Sequence, residues 1–201
     1  MIATIQSFLN SCAVSFDLPI LEWIQANMQS VFMDKFMPFI TLFGEAGIFW
    51  MVLSALFLLF PKTRKMGLGM ALAMAMGLLV CNVTLKPLIA RPRPYDFQLS
   101  QFGMVIPLLI EAQHDFSFPS GHTIACFEAS VVMLKNNKLL GVPAFILGLL
   151  VSFSRMYLYV HYPTDVLVSV ILGTLFAFIG DALAAKIAPK LKPRKRGKFE
   201  A

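Results

Sequence analysis

The sequence predicts an all-α integral-membrane bundle of about five transmembrane helices, preceded by N-terminal amphipathic helices lying at the interface. Two observations carry that expectation. Apolar residues fill 58% of the 201 positions and charged residues only 14%, against about a quarter charged in ordinary soluble domains. The apolar residues also fall in runs near the ~20 residues that a membrane-crossing helix requires. No linker, repeat or low-complexity stretch divides the chain, so one membrane domain is expected.

The elements follow in order. Residues 1–43 mix Ile20, Leu21, Trp23 and Ile24 with Asp17, Glu22 and Gln25, a pattern that suits helices lying in the interface. Spans are then expected over roughly 44–60, 66–86, 121–135, 139–158 and 163–186. The first and third are short, which a locally thinned bilayer accommodates. These spans make a core over 44–186, with a long outer loop at 87–120 and a basic tail at 187–201.

Basic residues orient the bundle. Lys62, Arg64 and Lys65 follow the first span, Lys135 and Lys138 flank the turn after the third, and the tail from Lys190 to Lys198 follows the fifth. All three fall on one face, which the positive-inside tendency makes cytoplasmic. The net charge of +6 lies largely in that tail, a topology and anionic-lipid signal. Basic residues interleaved with aromatics, which nucleic-acid binding wants, are missing. Cys12, Cys81 and Cys126 are scattered and odd in number, so neither a disulfide framework nor zinc spacing is present. With no Lys or Arg before Lys35, a cleaved signal peptide is not expected.

The opposite face leans acidic, through Asp17, Glu22, Asp34, Glu45, Asp96, Glu111 and Asp115. Lys35 and Arg91 depart from that trend, and so do Lys86, Arg93 and Arg155, each near the end of a span. Charges there cost free energy unless paired or wetted. Snorkelling to the interface explains any one of them. A bound phosphate explains all three, because Arg offers a planar donor fork and Lys a point charge.

Two further clusters share that face. Pro119-Ser120-Gly121-His122 opens the third span: Ser120 is a good N-cap, Gly121 admits a ligand to the backbone, and the helix start favours an anion. An ordinary helix start with an incidental histidine is the plain alternative. At the fifth span, Asp165 lies four residues after His161, about one turn, within reach of one imidazole nitrogen. A histidine held by a carboxylate has a fixed tautomer and a free second nitrogen, as an activated nucleophile or base does. Asp165 alone also suits a helix first turn. His114 and Asp115 read as solvated loop residues, and Trp50, Tyr157, Tyr159 and Tyr162 as interfacial aromatics. Glu128, inside the third span, reads as a polar contact within the bundle, with a substrate-channel role the alternative.

Taken together, Lys86 to Arg93-Pro94, Pro119 to His122, and Ser154-Arg155 to His161 and Asp165 resemble the type 2 phosphatidic acid phosphatase superfamily. The resemblance covers roughly 44–186, and the three blocks match its pattern without departure. It implies that His161 attacks phosphorus to form a phosphohistidine while Asp165 holds its ring. It implies that His122 protonates the leaving oxygen and then activates water. Lys86, Arg93, Arg155, Ser120 and the Gly121 N–H would bind the phosphoryl oxygens; Pro94, Pro119 and Ser154 support the motif. No cofactor and no metal is expected, and the two histidines' opposite protonation needs imply a bell-shaped pH profile.

The implied partners are the bilayer and a membrane lipid phosphate, without nucleic acid. Small size and minimal loops resemble bacterial members acting at the outer face of the cytoplasmic membrane. Undecaprenyl diphosphate is the favoured substrate by that analogy, with phosphatidylglycerophosphate or phosphatidic acid as alternatives. A vanadate-dependent haloperoxidase, a non-catalytic lipid-phosphate binder and a metallohydrolase ligated by His122, His161 and Asp165 are the other classes.

Overall fold

The computed structural model describes residues 2–191, which are helical with no strand among them. From residue 192 onward the expected basic tail lies outside the described residues. At the N-terminus, α1 (Ile2–Cys12) continues through a π-helical turn at Ala13–Asp17 into α2 (Leu18–Met28). Ser30 then caps α3 (Val31–Thr41), its hydroxyl accepting the Met33 N–H at 3.2 Å. A tight turn over Leu42–Gly47 breaks the axis before α4 (Ile48–Leu59). The break is built from two left-handed residues, Ala46 at φ 47° and Gly47 at φ 67°.

The remaining helices carry the core. Following α4, α5 (Arg64–Gly77) widens into π-helical turns over Leu78–Leu85 and ends in the single turn α6 (Lys86–Ile89). Pro94 starts α7 (Pro94–Phe102), as a residue with no N–H to lose suits a first helical turn. Next come α8 (Gly121–Asn136), α9 (Lys138–Tyr157) and α10 (Pro163–Ile187). Four stretches among the described residues are long and apolar enough to cross a membrane: Val31–Leu59, Arg64–Phe102, Lys138–Tyr157 and Pro163–Ile187. At 16 residues α8 is shorter, and every residue from Thr123 to Met133 is buried.

Thus α8 is the central post, packed against α5, α9 and α10. Small residues let backbones meet, as membrane bundles require when apolar burial gives no drive between helices. A Cβ on Gly180 of α10 would stand 2.6 Å from the Gly69 carbonyl of α5, and one on Gly141 of α9 would stand 2.2 Å from Leu134 Cα of α8.

The polarity is reversed from that of a soluble domain. Leu59, Leu79, Val83, Leu139 and Ile171 are exposed, while Arg91, Arg93, Glu128, Arg155, His161 and Asp165 are buried. Water would penalise that surface and lipid does not, so the chain is an integral membrane protein. The aromatics differ from their expected interfacial place: Trp50, Tyr157, Tyr159 and Tyr162 are all buried. The N-terminal segment covers three of them. Ala13, Leu18 and Leu21 pack with Tyr159 and Tyr162, and Ile24 and Met37 with Tyr157.

Candidate active site

Helix ends deliver the polar groups to one place. Ser120 caps α8, its Oγ accepting the Thr123 N–H at 3.5 Å and the Thr123 hydroxyl at 3.2 Å. That cap starts the helix beside His122. At the other side, the turn after α9 brings His161 in front of α10, where Asp165 Oδ2 accepts the Tyr162 N–H at 3.0 Å. The same oxygen lies 3.6 Å from His161 Nδ1, close to but longer than a hydrogen bond, and such contacts often shorten once substrate is bound.

The ring orientation follows from its second nitrogen. Arg93 Nη1 sits 3.4 Å from His161 Nε2, and a guanidinium only donates, so Nε2 is the acceptor and the proton belongs on Nδ1, facing Asp165. Burial, and then the charges of Arg93, Arg155 and Lys86, push the His161 ring well below its ordinary pKa. The ring is therefore neutral, with a lone pair directed at the cations.

Those cations are held differently from one another. Arg93 donates through Nη1 to the Val160 carbonyl at 2.7 Å and through Nε to the Asp115 carbonyl at 2.8 Å. Its Nη2 pairs with the Asp115 carboxylate, whose other oxygen lies 2.5 Å from Lys86 Nζ. Burial opposes ionisation of Asp115, but the Lys86 and Arg93 contacts outweigh it and hold the carboxyl well below the usual carboxylate range. Arg155 is 1% exposed and donates through Nη1 to Thr41 Oγ1 at 2.6 Å, leaving Nε and Nη2 buried without a partner. A buried cation with two open donors is a site for an anion.

A cavity of about 660 Å³ is lined at its polar end by Lys86, Arg93, Asp115, Gly121, His122 and His161, with Arg155 buried outside its lining. From there it continues between α4 and α5, past Met51, Ala55, Leu58, Ala71 and Met74. Glu128 lies on its wall, 2% exposed, with Oε1 unpartnered. Gly77 makes room for that carboxyl, since a Cβ there would stand 2.1 Å from Oε1. The arrangement can grip a tetrahedral anion at one end and an apolar chain along the rest.

Other expected residues sit behind the site. The Ser154 hydroxyl donates to the Val151 carbonyl of its own helix at 2.6 Å, and the Ser120 N–H donates to Ser169 Oγ at 2.8 Å. Pro94 starts α7, and Pro119 follows a cis peptide bond immediately before the α8 cap. Among the described residues, no group of three or more His, Cys, Asp or Glu side chains is placed to hold a metal.

Four contributors went unrecognised in the sequence. Asp115, read as solvated, is exposed but also pairs with two of the cations, Lys86 and Arg93. Glu45 Oε2 lies 3.3 Å from His122 Nε2. Arg91 and Asp17 form a buried pair at 2.7 Å, and Arg91 reaches Asp165 at 2.5 Å. The available signal was the acidic bias of the outer face: a buried Arg must find a carboxylate, and acidic residues outnumbered the visible cations.

Comparison with known proteins identifies the family. The PAP2 superfamily model matches residues 64–186. Undecaprenyl-diphosphatase of Sulfolobus acidocaldarius is 29% identical over 167 residues, 83% of this chain and 77% of that protein. Undecaprenyl-diphosphatase BcrC of Bacillus subtilis is 32% identical over 155 residues, 75% of this chain and 77% of that protein. Among solved structures, the transmembrane PAP2-type phosphatidylglycerolphosphate phosphatase of Bacillus subtilis aligns with a TM-score of 0.62 and 27% identity, covering 88% of this chain and 96% of that one. With the family model spanning α5 to α10 and both histidines, this chain is a member of the PAP2 superfamily.

Proposed function

We propose that the chain is a metal-independent lipid phosphatase that removes a phosphate from a membrane lipid phosphate or diphosphate at the outer face, with undecaprenyl diphosphate the favoured substrate. One observation carries the reading: the two histidines and two cations line the polar end of a cavity that continues between α4 and α5 along mostly apolar side chains, with Glu128 on its wall. A headgroup phosphate fits the first part and a hydrocarbon tail the second. The undecaprenyl-diphosphatase names of two relatives support the choice of lipid. Phosphatidylglycerophosphate is the second reading, supported by the Bacillus subtilis structure.

In this mechanism His161 Nε2 attacks phosphorus, forming an N–P bond as the P–O bond to the lipid breaks. His122 gives its proton to the departing oxygen. Water then attacks the phosphohistidine, His122 takes a proton from it, and the N–P bond breaks to release phosphate. Lys86, Arg93 and the open donors of Arg155, with the Gly121 N–H and Ser120 at the α8 start, hold the oxygens as their charge grows. Asp165 balances the ring while it carries the phosphoryl group.

The accompanying topology has five spans, with α8 the third, and residues 1–43 at the outer interface. The active site then faces outside a bacterial cytoplasmic membrane, and the tail over 187–201 faces the cytoplasm. Phosphate release by the purified protein in detergent tests the reading, with undecaprenyl diphosphate, phosphatidylglycerophosphate, phosphatidic acid and a soluble sugar phosphate compared, with and without EDTA. Lipid turnover that survives EDTA and vanishes in His161→Ala is expected. Equal turnover of the sugar phosphate, or an active His161→Ala, would overturn it.

A further inference from the structure

Behind the histidine lies an ion cluster in which the motif residue Asp165 is joined to Arg91 and, through it, to Asp17. Arg91 is 2% exposed. Through Nη1 it donates to Asp165 Oδ1 at 2.5 Å and to Thr164 Oγ1 at 2.8 Å; through Nη2 it donates to Asp17 Oδ2 at 2.7 Å and to the Leu9 carbonyl at 3.0 Å. Its guanidinium carbon rests 3.6 Å above the centre of the Tyr162 ring. Asp17, fully buried, also accepts the Thr164 N–H at 2.9 Å and its hydroxyl at 2.8 Å. The first turn of α10 is thus tied to the N-terminal π-helical turn through one arginine.

We propose that Asp17 and Arg91 are positioning residues for the phosphatase reaction, forming a charge-balanced clamp on Asp165 that makes the N-terminal segment part of the active site. This rests on the reading of His161 as nucleophile. Two carboxylates share one guanidinium, and with both ionised the cluster carries one net negative charge next to the imidazole. Without Asp17, Arg91 would neutralise Asp165 outright; without Arg91, two like charges would face each other in a space closed to water. Clamping also fixes Asp165 Oδ1, which leaves Oδ2 for the Tyr162 N–H and the ring.

The sharing matters because of what faces His161 elsewhere. Arg93 from the segment before α7, Lys86 from α6, Arg155 from α9 and His122 from α8 all bear on it, with Asp115 bound to Lys86 and Arg93. Phosphorylation at Nε2 leaves the ring short of electron density among those cations. The net negative charge on the Nδ1 side offsets this, and its size depends on Asp17.

The test reads the acidic limb of the kcat/KM–pH profile on one lipid phosphate in detergent, for the full chain and its variants. Asp17→Asn removes a negative charge and moves the limb to lower pH; Arg91→Gln removes a positive one and moves it higher. Each shift is about one pH unit, the size expected of a unit charge roughly 10 Å away at an effective dielectric of about 20. Asp17→Asn/Arg91→Gln restores the net charge and returns the limb to its starting position. Should Arg91→Gln not fold, Arg91→Lys takes its place: the limb stays while kcat falls about tenfold, because one ammonium cannot hold both carboxylates in fork geometry. Variants that lose stability without moving the limb, or that move it in one common direction, would overturn the clamp. An active His161→Ala in the same series would instead overturn the phosphohistidine reading on which it rests.

Discussion

Gly44→Ala tests whether the imidazole of His122 is held where chemistry needs it. A Cβ at Gly44 would stand 2.8 Å from His122 Cδ2 and 2.8 Å from Val151 Cγ1, with His122 Cβ at 3.0 Å. Ordinary contact begins near 3.4 Å, so 3.4 − 2.8 leaves a deficit of 0.6 Å. Val151 is fully buried and cannot retreat, so the ring must give way, towards the cavity. A misplacement of about 1 Å at a reacting group costs roughly 10²-fold. The expected loss in kcat is therefore about 10- to 100-fold, with a stability loss of about 1–3 kcal/mol from overpacking. Phosphate release in detergent, read with thermal unfolding of the same samples, separates the two effects. Gly69→Ala is the control: its Cβ meets Val132 Cγ1 at 3.0 Å, far from either histidine, and should cost stability alone. A folded Gly44→Ala protein with wild-type kcat would refute the placement of His122 in the chemistry.

The remaining predictions concern charge. Arg155→Leu removes a buried cation with two unpartnered donors, so it should unfold at a higher temperature in anion-free buffer and lose the stabilisation that vanadate gives. In the wild type that gain should reach about 2.7 kcal/mol at vanadate a hundred times its Kd; no gain would argue against an anion site there. Asp115→Asn frees Lys86 and Arg93 from a competing carboxylate and should tighten inhibition by inorganic phosphate about three- to tenfold, which a Ki measurement reads directly. A weaker Ki would show that Asp115 arranges the cations rather than competing for them. His161 has a folded pKa well below 6.5, so below about pH 6.5 the unfolded chain binds the extra proton and stability falls with falling pH. Thermal midpoints between pH 7 and 5 should show that slope, and His161→Gln should flatten it.

Much of the site was legible because its parts lie at helix ends, where local chemistry leaves marks. Ser120 is a cap, Pro163 a helix start, and Asp165 sits one turn after His161; each marks an end without knowledge of its neighbours. Helix limits followed from apolar runs for the same reason, and α8, α9 and α10 begin and end within one residue of expectation. Tertiary pairing leaves no such trace. Asp17 meets Arg91 across 74 residues and Glu45 meets His122 across 77, and nothing local distinguishes either carboxylate from a solvated one. The tyrosines and Trp50 read as interfacial because composition cannot show that the N-terminal segment covers three of them. The break between α3 and α4 depends on left-handed Ala46 and Gly47, a conformation that alanine does not advertise.

The clamp on Asp165 also constrains how the polypeptide is made. Asp17 is made before its partners, since Arg91 and Thr164 follow 74 and 147 residues later. Until they arrive, burying that carboxylate would leave a lone charge in lipid. The segment around Asp17 therefore cannot seat before the start of α10 has been made, and its docking closes the cluster behind His161.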